Sequence, residues 1–379
     1  MKTKVIVLGA GLIGKPLAVD LAKDAAFEVT VADKSWLQLE SIEETNLRKK
    51  HLDLRETYEL NKLLQPFDLV VNAVPGFMGY DTLKTIIEAE KDCVDIAFYP
   101  EDVFGLSQLA KEKGVRVISD MGVAPGMSNL LTGFAASKMD EVETVDIFVG
   151  GLPVVRKLPW EYKAVFSPSD VIEEYTRPAR LMENGQIVTK PPLTEIELLE
   201  FEGVGTLEAF NSDGLRSLMF TIKAKNMREK TLRYPGYAQK IKLLAENGFF
   251  DKKKLDFNGQ AVSPLEMTGK LLFKQWKLKE GEEDLTIMKI VVEGKNDGKN
   301  IRYTFDLYDR YDTVTKTHSM ARTTAYAASQ AVRLMVSGLH PDKGIFVPEQ
   351  LGENEKIVDF MLSGLARHNV IYKTTIDET

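Results

Sequence analysis

Short apolar runs alternate with longer amphipathic segments through the first third of the chain. Five runs rich in β-branched residues lie between residue 4 and about residue 120: KVIVLG, FEVTVAD, FDLVVNAV, CVDIAF and VRVIS. The segments between them, such as residues 81–90 and 102–113, place apolar residues at helical spacing. Apolar strands that alternate with helices are typical of a parallel sheet covered on both faces. The pattern therefore predicts a doubly wound α/β domain.

The pattern changes after residue 140. The stretches TVDIFVGGL, YKAVFS, LEAFNS, LTIMKIVVEG and NIRYTFDLYDRYD alternate or run apolar, with glycine and proline between them. Helical patterns are fewer, and they include SPSDVIEEY, with Ser167 as its N-cap, and residues 238–247, which end at Gly248. A mixed, largely antiparallel sheet is expected here. The stretch ARTTAYAASQAVRLMVSG then predicts a long helix that returns the chain to the first domain.

Composition narrows the classes of function. The formal net charge is -7, which gives no electrostatic reason to expect binding to nucleic acid or to an anionic membrane. The single cysteine, Cys93, allows no disulfide within the chain, and the four histidines lie far apart, so no metal site is expected. The N-terminus lacks the pattern of a signal peptide, and no apolar run is long enough to span a membrane. We expect a reduced, cytoplasmic protein.

The first glycine-rich turn predicts a dinucleotide site. Gly9, Gly11 and Gly14 form G-x-G-x-x-G between an apolar strand and a helical pattern. Asp33 ends the second strand, 19 residues after Gly14. A carboxylate there accepts hydrogen bonds from the adenosine ribose and repels a 2′-phosphate, which favours NAD over NADP. Lys34 follows Asp33 directly, and its positive charge would weaken the preference for NAD. The alternative to a dinucleotide site is a glycine-rich turn that binds no nucleotide.

Further cofactor contacts are expected in the glycine loop, after the second strand, and at the ends of later strands. They are Leu12, Ile13, Lys34, Asp53, Ala73, Val74, Pro75 and Gly122.

A second glycine-rich turn, in VRVISDMGVAPGMSNLLTGFA, supports a family resemblance. Together with GAGLIG, VGGLP, TLRYPGY and MARTTAY, this stretch resembles the saccharopine dehydrogenase-like oxidoreductases, and within them the NAD-dependent L-lysine 6-dehydrogenases. Saccharopine reductases usually carry aspartate where this chain has Ala124, and often cysteine where it has Val149. Both differences favour the lysine 6-dehydrogenase branch.

The resemblance implies a Rossmann domain and a second, α+β domain that serves catalysis and dimerisation. We expect the Rossmann domain over residues 1–122, completed by residues 319–379, and the catalytic domain over residues 123–318. The expected assembly is a homodimer or a higher homo-oligomer.

Oxidation of the terminal amine of lysine requires a cation for the α-carboxylate and an acceptor for the ammonium proton. Arg216 and Arg233 lie beside glycine-containing turns and are the candidate cations, although a surface position or an ion pair with Asp213 would explain them equally well. Asn129, near the cap of the helix after the second turn, is a further candidate substrate contact. The candidate acceptor is Asp120, just past a strand end, unless it only stabilises its own turn.

Two other residues are alternative acceptors because they follow the preceding strand: Tyr99 and Glu101.

Three functions are consistent with these residues. The first is NAD-dependent oxidation of the terminal amine of lysine or a close diamino acid to the semialdehyde, which cyclises. The second is reductive imine chemistry with NAD(P)H, as saccharopine or carboxynorspermidine enzymes perform. The third is a dinucleotide-sensing protein without catalysis, which would not need convergent arginines and a carboxylate.

Overall fold

A computed structural model describes residues 2–165, 168–279 and 281–378. The predicted N-cap Ser167 lies outside the described residues. The chain divides into two compact units, the first comprising Met1–Lys138 with Ala321–Ile371 and the second Met139–Met320 with Tyr372–Thr379.

The elements of the first unit begin as an alternation of strands and helices. In chain order they are β1 (Thr3–Leu8), α1 (Gly14–Ala22), β2 (Phe27–Asp33), α2 (Trp36–Glu40), β3 (Leu47–His51), α3 (Thr57–Leu64), β4 (Leu69–Asn72), α4 (Gly76–Glu88), β5 (Asp92–Asp95), α5 (Ser107–Lys113), β6 (Arg116–Ile118) and α6 (Met127–Ala136).

The second unit contains most of the remaining strands. Its elements are β7 (Glu141–Pro153), α7 (Pro168–Thr176), β8 (Ala179–Glu183), β9 (Gln186–Lys190), β10 (Glu197–Phe201), β11 (Gly205–Asn211), α8 (Leu218–Thr221), β12 (Ala224–Arg233), α9 (Tyr237–Glu246), β13 (Leu255–Phe257), β14 (Gln260–Val262), α10 (Pro264–Trp276), β15 (Asp284–Asn296) and β16 (Lys299–Arg310).

The chain then runs through three helices and two short strands to its end. These are α11 (Ser319–Ser337), β17 (Gly344–Phe346), α12 (Pro348–Gly352), α13 (Glu355–Ala366) and β18 (Tyr372–Glu378).

The sheet of the first unit is parallel and runs in the order β17-β6-β5-β4-β1-β2-β3. The strands progress outward from β1 in both directions, so the predicted doubly wound α/β fold is confirmed. The edge strand β3 was not predicted, because only Leu47 of its five residues is buried and it therefore carries no apolar pattern. The reversal between β1 and β4 brings the carboxyl ends of both strands to the usual ligand-binding position of this fold.

The sheet of the second unit runs β10-β11-β12-β7-β15-β16-β18, with β8 and β9 as a hairpin attached to β12. Every pairing is antiparallel except that of β12 with β7. The predicted mixed sheet is therefore confirmed. Helices α7, α9 and α10 contribute to an aromatic core that includes Tyr162, Phe210 and Trp276.

Within the described residues, no helix combines the length and the apolar character that crossing a membrane requires.

Candidate functional site

The glycine loop between β1 and α1 is built from close backbone approaches. Gly9 has a φ of +106°, and a Cβ atom there would lie 2.5 Å from the carbonyl oxygen of Ala73. A Cβ atom on Gly14 would lie 2.0 Å from the carbonyl oxygen of Gly9. At Gly11, nothing lies within 4 Å of such an atom. The fold thus requires the first and third glycines, and the second leaves space for a diphosphate to approach the backbone.

The start of α1 offers backbone donors beside this space. Leu12 is exposed, Ile13 is the N-cap, and no side-chain hydrogen bond caps the helix within the described part of the chain. The N–H groups of a first helical turn have no acceptor in their own helix, and they favour anions. These residues therefore fit a dinucleotide diphosphate.

The Asp33 carboxylate connects the glycine loop to the turn after β2. Its Oδ2 accepts a hydrogen bond from the backbone N–H of Ala10 at 2.7 Å, and its Oδ1 accepts one from Ser35 at 2.8 Å. The side chain is half-buried, and each carboxylate oxygen has a second lone pair for a further donor. Asp33 is therefore placed both to shape the loop and to accept hydrogen bonds from a ribose.

An aromatic pair lies next to Asp33. His51 pairs with Asp33 in the register of β2 and β3, and its ring stacks on that of Trp36 with 4.7 Å between centroids. The Nε2 atom of His51 lies 2.8 Å from the carbonyl oxygen of Lys34, whose side chain is exposed. Asp53 binds Arg55, whose hydrogen bonds lower the pKa of the Asp53 carboxyl group, and its contact with the cofactor stays a prediction.

The carboxyl end of β4 passes close to the glycine loop. The N–H of Ala73 donates to the carbonyl oxygen of Leu8 at 3.0 Å, Val74 is buried, and Pro75 is exposed just before α4. These three residues follow Asn72, whose buried Nδ2 donates to Asp95 Oδ1 at 3.0 Å. The strand end therefore presents a small and largely apolar surface beside the loop.

Asp95, at the carboxyl end of β5, is a fully buried acceptor for four donors. Its Oδ1 accepts from Asn72 Nδ2 and from the N–H of Ala97, both at 3.0 Å. Its Oδ2 accepts from the hydroxyl groups of Tyr99 at 2.7 Å and of Ser119 at 3.4 Å. One carboxyl group thus joins the ends of β4, β5 and β6.

Burial is the main cause that raises the pKa of Asp95, to about 7. The hydrogen bond from Tyr99 opposes this shift, and the nearby charge of Asp120 adds to it. Burial also raises the pKa of the Tyr99 phenol well above its ordinary value, so Tyr99 stays a donor to Asp95. Tyr99 is therefore a hydrogen-bond donor in this network, and a catalytic role for it stays a prediction.

Asp120 lies in the turn directly after β6. It is buried, and its φ of +55° is in the left-handed region that residues other than glycine rarely adopt. The N–H of Gly122 donates to the carbonyl oxygen of Asp120 at 3.1 Å, and that of Met121 donates to Asp95 at 3.0 Å. A strained backbone fixed from two sides is a common feature of functional positions, so Asp120 remains a candidate.

Two other predicted residues lie in different surroundings. Asn129 is fully buried, and it accepts from Ser128 Oγ at 2.9 Å and donates to Glu349 Oε2 at 3.3 Å. These bonds make it a link between α6 and α12. Glu101 is exposed in the turn before α5.

In the second unit, β12 carries a buried polar row on one face of the sheet. Glu229, Thr231 and Arg233 alternate along the strand and are at most 6% exposed. Val149 of β7 lies opposite Thr231, and Glu208 of β11 lies opposite Arg233. The predicted cation Arg233 thus lies on the same face as the position where saccharopine reductases often carry cysteine.

Arg233 is a buried cation fixed by several contacts. Its Nη2 donates to Glu174 Oε2 at 2.8 Å and to the Tyr175 hydroxyl at 3.2 Å, and its Nη1 donates to the carbonyl oxygen of Leu232 at 2.9 Å. Its Cζ lies 4.5 Å from the centre of the Tyr162 ring. Its buried Nε has no hydrogen-bond partner among the described residues. The guanidinium therefore has a donor for which the described residues supply no acceptor.

The turn after β11 carries Arg216. This residue is buried and has a φ of +54°. The neighbouring Asp213 forms a two-pronged ion pair with Arg180, with distances of 2.9 Å to Nε and 2.8 Å to Nη2. This ion pair fixes the turn that carries Arg216.

Sequence reasoning missed Glu229, which lies beneath this turn. Its Oε2 accepts from Ser212 Oγ at 2.9 Å, and Ser212 Oγ accepts in turn from Thr231 Oγ1 at 2.8 Å. Burial is the main cause that raises the pKa of Glu229, to about 8. The only sequence signal was a glutamate in an alternating strand, which is typical of a solvent-exposed position.

The described residues contain no group of three or more histidine, cysteine or acidic side chains that could bind a metal ion.

Two family models together match most of the chain. The saccharopine dehydrogenase NADP binding domain matches residues 5–118, and the saccharopine dehydrogenase C-terminal domain matches residues 122–371. A solved structure of apo saccharopine dehydrogenase (L-Glu forming) from Saccharomyces cerevisiae is similar, with a TM-score of 0.81 and 18% identity over 99% of this chain and 100% of that chain. That likeness shows the fold alone.

Curated relatives include the NADP(+), L-glutamate-forming saccharopine dehydrogenase of Pyricularia oryzae, 27% identical over 72% of this chain. The match spans 64% of that protein, and only 29% of the alpha-aminoadipic semialdehyde synthase of Bos taurus. The carboxynorspermidine synthase of Vibrio alginolyticus is 24% identical over 96% of each chain. Because one family model alone covers more than half of its length, the chain belongs to the saccharopine dehydrogenase family.

Proposed function

We propose that this member of the family is an NAD-dependent dehydrogenase that oxidises the terminal amine of L-lysine or a close diamino acid. The observation that supports this most is Asp33, whose half-buried carboxylate lies between the glycine loop and the turn after β2. A carboxylate at that position accepts hydrogen bonds from the ribose hydroxyl groups, and its negative charge disfavours the 2′-phosphate of NADP. The relatives' NADP specificity is therefore not carried over to this chain.

The dinucleotide would be bound by the residues around the glycine loop. Gly11 leaves space for the diphosphate, and the first N–H groups of α1 would donate to it. Asp33 would accept from the adenosine ribose, and Val74 and Gly122 would contact the remainder of the cofactor. When bound, NAD would accept the hydride from the carbon that carries the terminal amine.

The substrate changes in two balanced steps. Its ammonium group loses one proton and the adjacent carbon loses one hydride, which leaves an iminium ion. Water then adds to that carbon, and ammonium leaves to give the semialdehyde, which cyclises onto the α-amine. Asp120 is the proposed acceptor of the ammonium proton, because it is a carboxylate fixed at the carboxyl end of β6.

Arg216 and Arg233, both buried, are the proposed cations for the α-carboxylate of the substrate. The Nε atom of Arg233 lacks a partner among the described residues, and Arg216 is presented by a turn fixed through Asp213 and Arg180. A guanidinium held by its neighbours loses little side-chain entropy when it binds a carboxylate.

Two apolar residues support a smaller substrate than saccharopine. Ala124 and Val149 are both half-buried, and they stand where saccharopine reductases usually carry aspartate and often cysteine, respectively. Neither side chain can form a hydrogen bond with the additional polar groups of a larger, dicarboxylate substrate arm. We therefore favour an amine with one amino-acid head group.

Reductive imine chemistry with NAD(P)H is the second candidate. It is favoured by the relatives that match over nearly the whole length: the carboxynorspermidine synthase and the carboxyaminopropylagmatine dehydrogenase of Synechocystis sp., which is 22% identical over 97% of this chain and 98% of that protein. In that case an aldehyde and an amine would be joined and the imine reduced. If that reaction requires NADPH, the negative charge of Asp33 counts against this second candidate.

One assay separates the candidates. Purified protein is incubated with NAD and L-lysine, and NADH formation is followed. Turnover without an added aldehyde supports the proposal. Activity only with an amine, an aldehyde and reduced cofactor supports the second candidate, and cofactor binding without turnover supports a sensor. We further propose a cytoplasmic homodimer or higher homo-oligomer, which light scattering and cell fractionation test.

A further inference from the structure

Glu229 is a buried carboxyl group to which the proposed reaction assigns no task. It lies on the same face of β12 as Arg233 and is 6% exposed. A carboxyl group in this position is costly to ionise, so its presence under a proposed substrate-binding turn requires an explanation.

The carboxyl group is in direct contact with that turn. A Cβ atom on Gly214 would lie 2.0 Å from Oε2 of Glu229, so only glycine allows the backbone to cover the carboxyl group. Ser212, in the same turn, donates to the same Oε2 at 2.9 Å, and Thr231 donates to Ser212 at 2.8 Å. The turn that presents Arg216 therefore rests on Glu229 through one backbone contact and one hydrogen bond.

The charges around Glu229 are mainly negative. Glu174 of α7 and Asp213 of the turn both disfavour a third negative charge, and Arg233 on the same strand favours it. On β7, the residue opposite Glu229 is the apolar Ile147. Burial has the largest effect, and the pKa of Glu229 is raised to about 8. The carboxyl group is therefore mainly protonated at pH 7.

We propose that Glu229 is a positioning residue whose neutral carboxyl group supports the turn that carries Arg216, and that loss of its proton weakens binding of the substrate carboxylate. This inference rests on the proposed function for its effect on substrate. An ionised Glu229 repels Asp213 and Glu174, which displaces the turn. It also reduces the positive potential of Arg216 and Arg233, and both effects raise the KM for lysine.

The test compares the wild-type enzyme with E229Q, whose amide is neutral at every pH and can still accept from Ser212. The KM for lysine is measured from pH 6.5 to 9.5. We expect the wild-type KM to rise on the order of tenfold above pH 8 relative to that of E229Q, because one pKa unit corresponds to a tenfold change. Ionisation of lysine itself affects both proteins equally, and kcat should change less than KM. The exposed Glu202, as E202Q, is the matched control and should follow the wild type.

Hydrogen exchange gives a readout that needs no substrate. Protection factors of the amides of residues 212–217 are compared at pH 7 and pH 9. We expect them to fall at pH 9 in the wild type and to stay constant in E229Q. Equal protection in the two proteins at both values of pH would overturn the inference, whichever substrate the enzyme uses. If lysine is not oxidised but the exchange difference is present, the proposed function fails and the positioning role of Glu229 stands.

Discussion

Replacing Asp33 tests the cofactor assignment most sharply. The variant D33A removes a carboxylate that accepts hydrogen bonds from Ala10 and Ser35, at 2.7 and 2.8 Å. Two effects follow. The glycine loop loses its connection to the turn after β2, and the cofactor loses an acceptor for its ribose hydroxyl groups.

The magnitude follows from these contacts. A hydrogen bond to a charged group contributes about 1.5–3 kcal/mol, and because Asp33 is only half-buried, we expect the low end of that range. Without these hydrogen bonds the glycine loop is less ordered, so part of their free energy is lost as the entropic cost of ordering the loop when NAD binds. Loss of the hydrogen bond to the ribose adds about 1 kcal/mol. We expect the KM for NAD to rise about 10- to 100-fold, since 1.4 kcal/mol corresponds to tenfold.

Selectivity should change as well. Removal of the negative charge relieves its repulsion of a 2′-phosphate, so the KM for NADP should rise less than that for NAD, or fall. D33N separates the two effects, because its amide oxygen can replace one acceptor while the charge is lost. We expect D33N to relax selectivity, though no more than D33A does, with a smaller loss of NAD affinity.

The assay is initial-rate kinetics with each cofactor, supported by calorimetric titration of the protein with NAD. The matched control is D68N. Asp68 also accepts from a backbone N–H, that of Lys4 at 2.8 Å, but at the amino ends of the strands. D68N should leave cofactor selectivity as it is. If D33A and D33N are folded and keep the wild-type preference between NAD and NADP, the reasoning is refuted.

Three further outcomes are expected. G11A should unfold at the wild-type temperature yet bind NAD at least tenfold more weakly, because its added methyl group enters the space for the diphosphate. G14A should be less stable, because its Cβ would lie 2.0 Å from the carbonyl oxygen of Gly9. Thermal melting and titration with NAD distinguish the two effects. The stability contributed by Asp95 should be lost as the pH rises from about 4 to about 7, because its folded-state pKa is raised to about 7 above the unfolded value near 3.9. Urea unfolding of D95N should therefore depend less on pH in that window, and an unchanged slope would contradict the shift. R216K should raise the KM for the substrate lysine about tenfold with a smaller change in kcat, because the ammonium group of the new side chain cannot form the two-pronged hydrogen bond to a carboxylate. An unaltered KM would show that Arg216 does not bind the substrate.

Much of the first unit could be predicted from sequence because its apolar runs and glycines have strong periodic signals. The edge strand β3 had no such signal, since four of its five residues are exposed. The role of Asp95 was hidden for a different reason. An aspartate inside an apolar strand gives no indication of which donors surround it, and here they come from the end of β4 and from the segments that follow β5 and β6.

The polar row of β12 shows the same difficulty in the second unit. The segment AKNMREKTLR alternates polar residues without an apolar face, so sequence alone indicates neither which face is buried nor which charges are paired. Arg233 was proposed as a candidate cation because it lies in TLRYPGY, which resembles a stretch of the family. Glu229 was not, because its environment is created by Gly214 and Ser212, which arrive from another part of the chain.

The most direct test of the central claim is NADH production from NAD and L-lysine by the purified wild-type chain, with no aldehyde present. Stoichiometric release of NADH, ammonium and the cyclised semialdehyde, with NAD preferred over NADP, is the predicted result. Absence of NADH, together with consumption of NADPH only when an amine and an aldehyde are supplied, would contradict it.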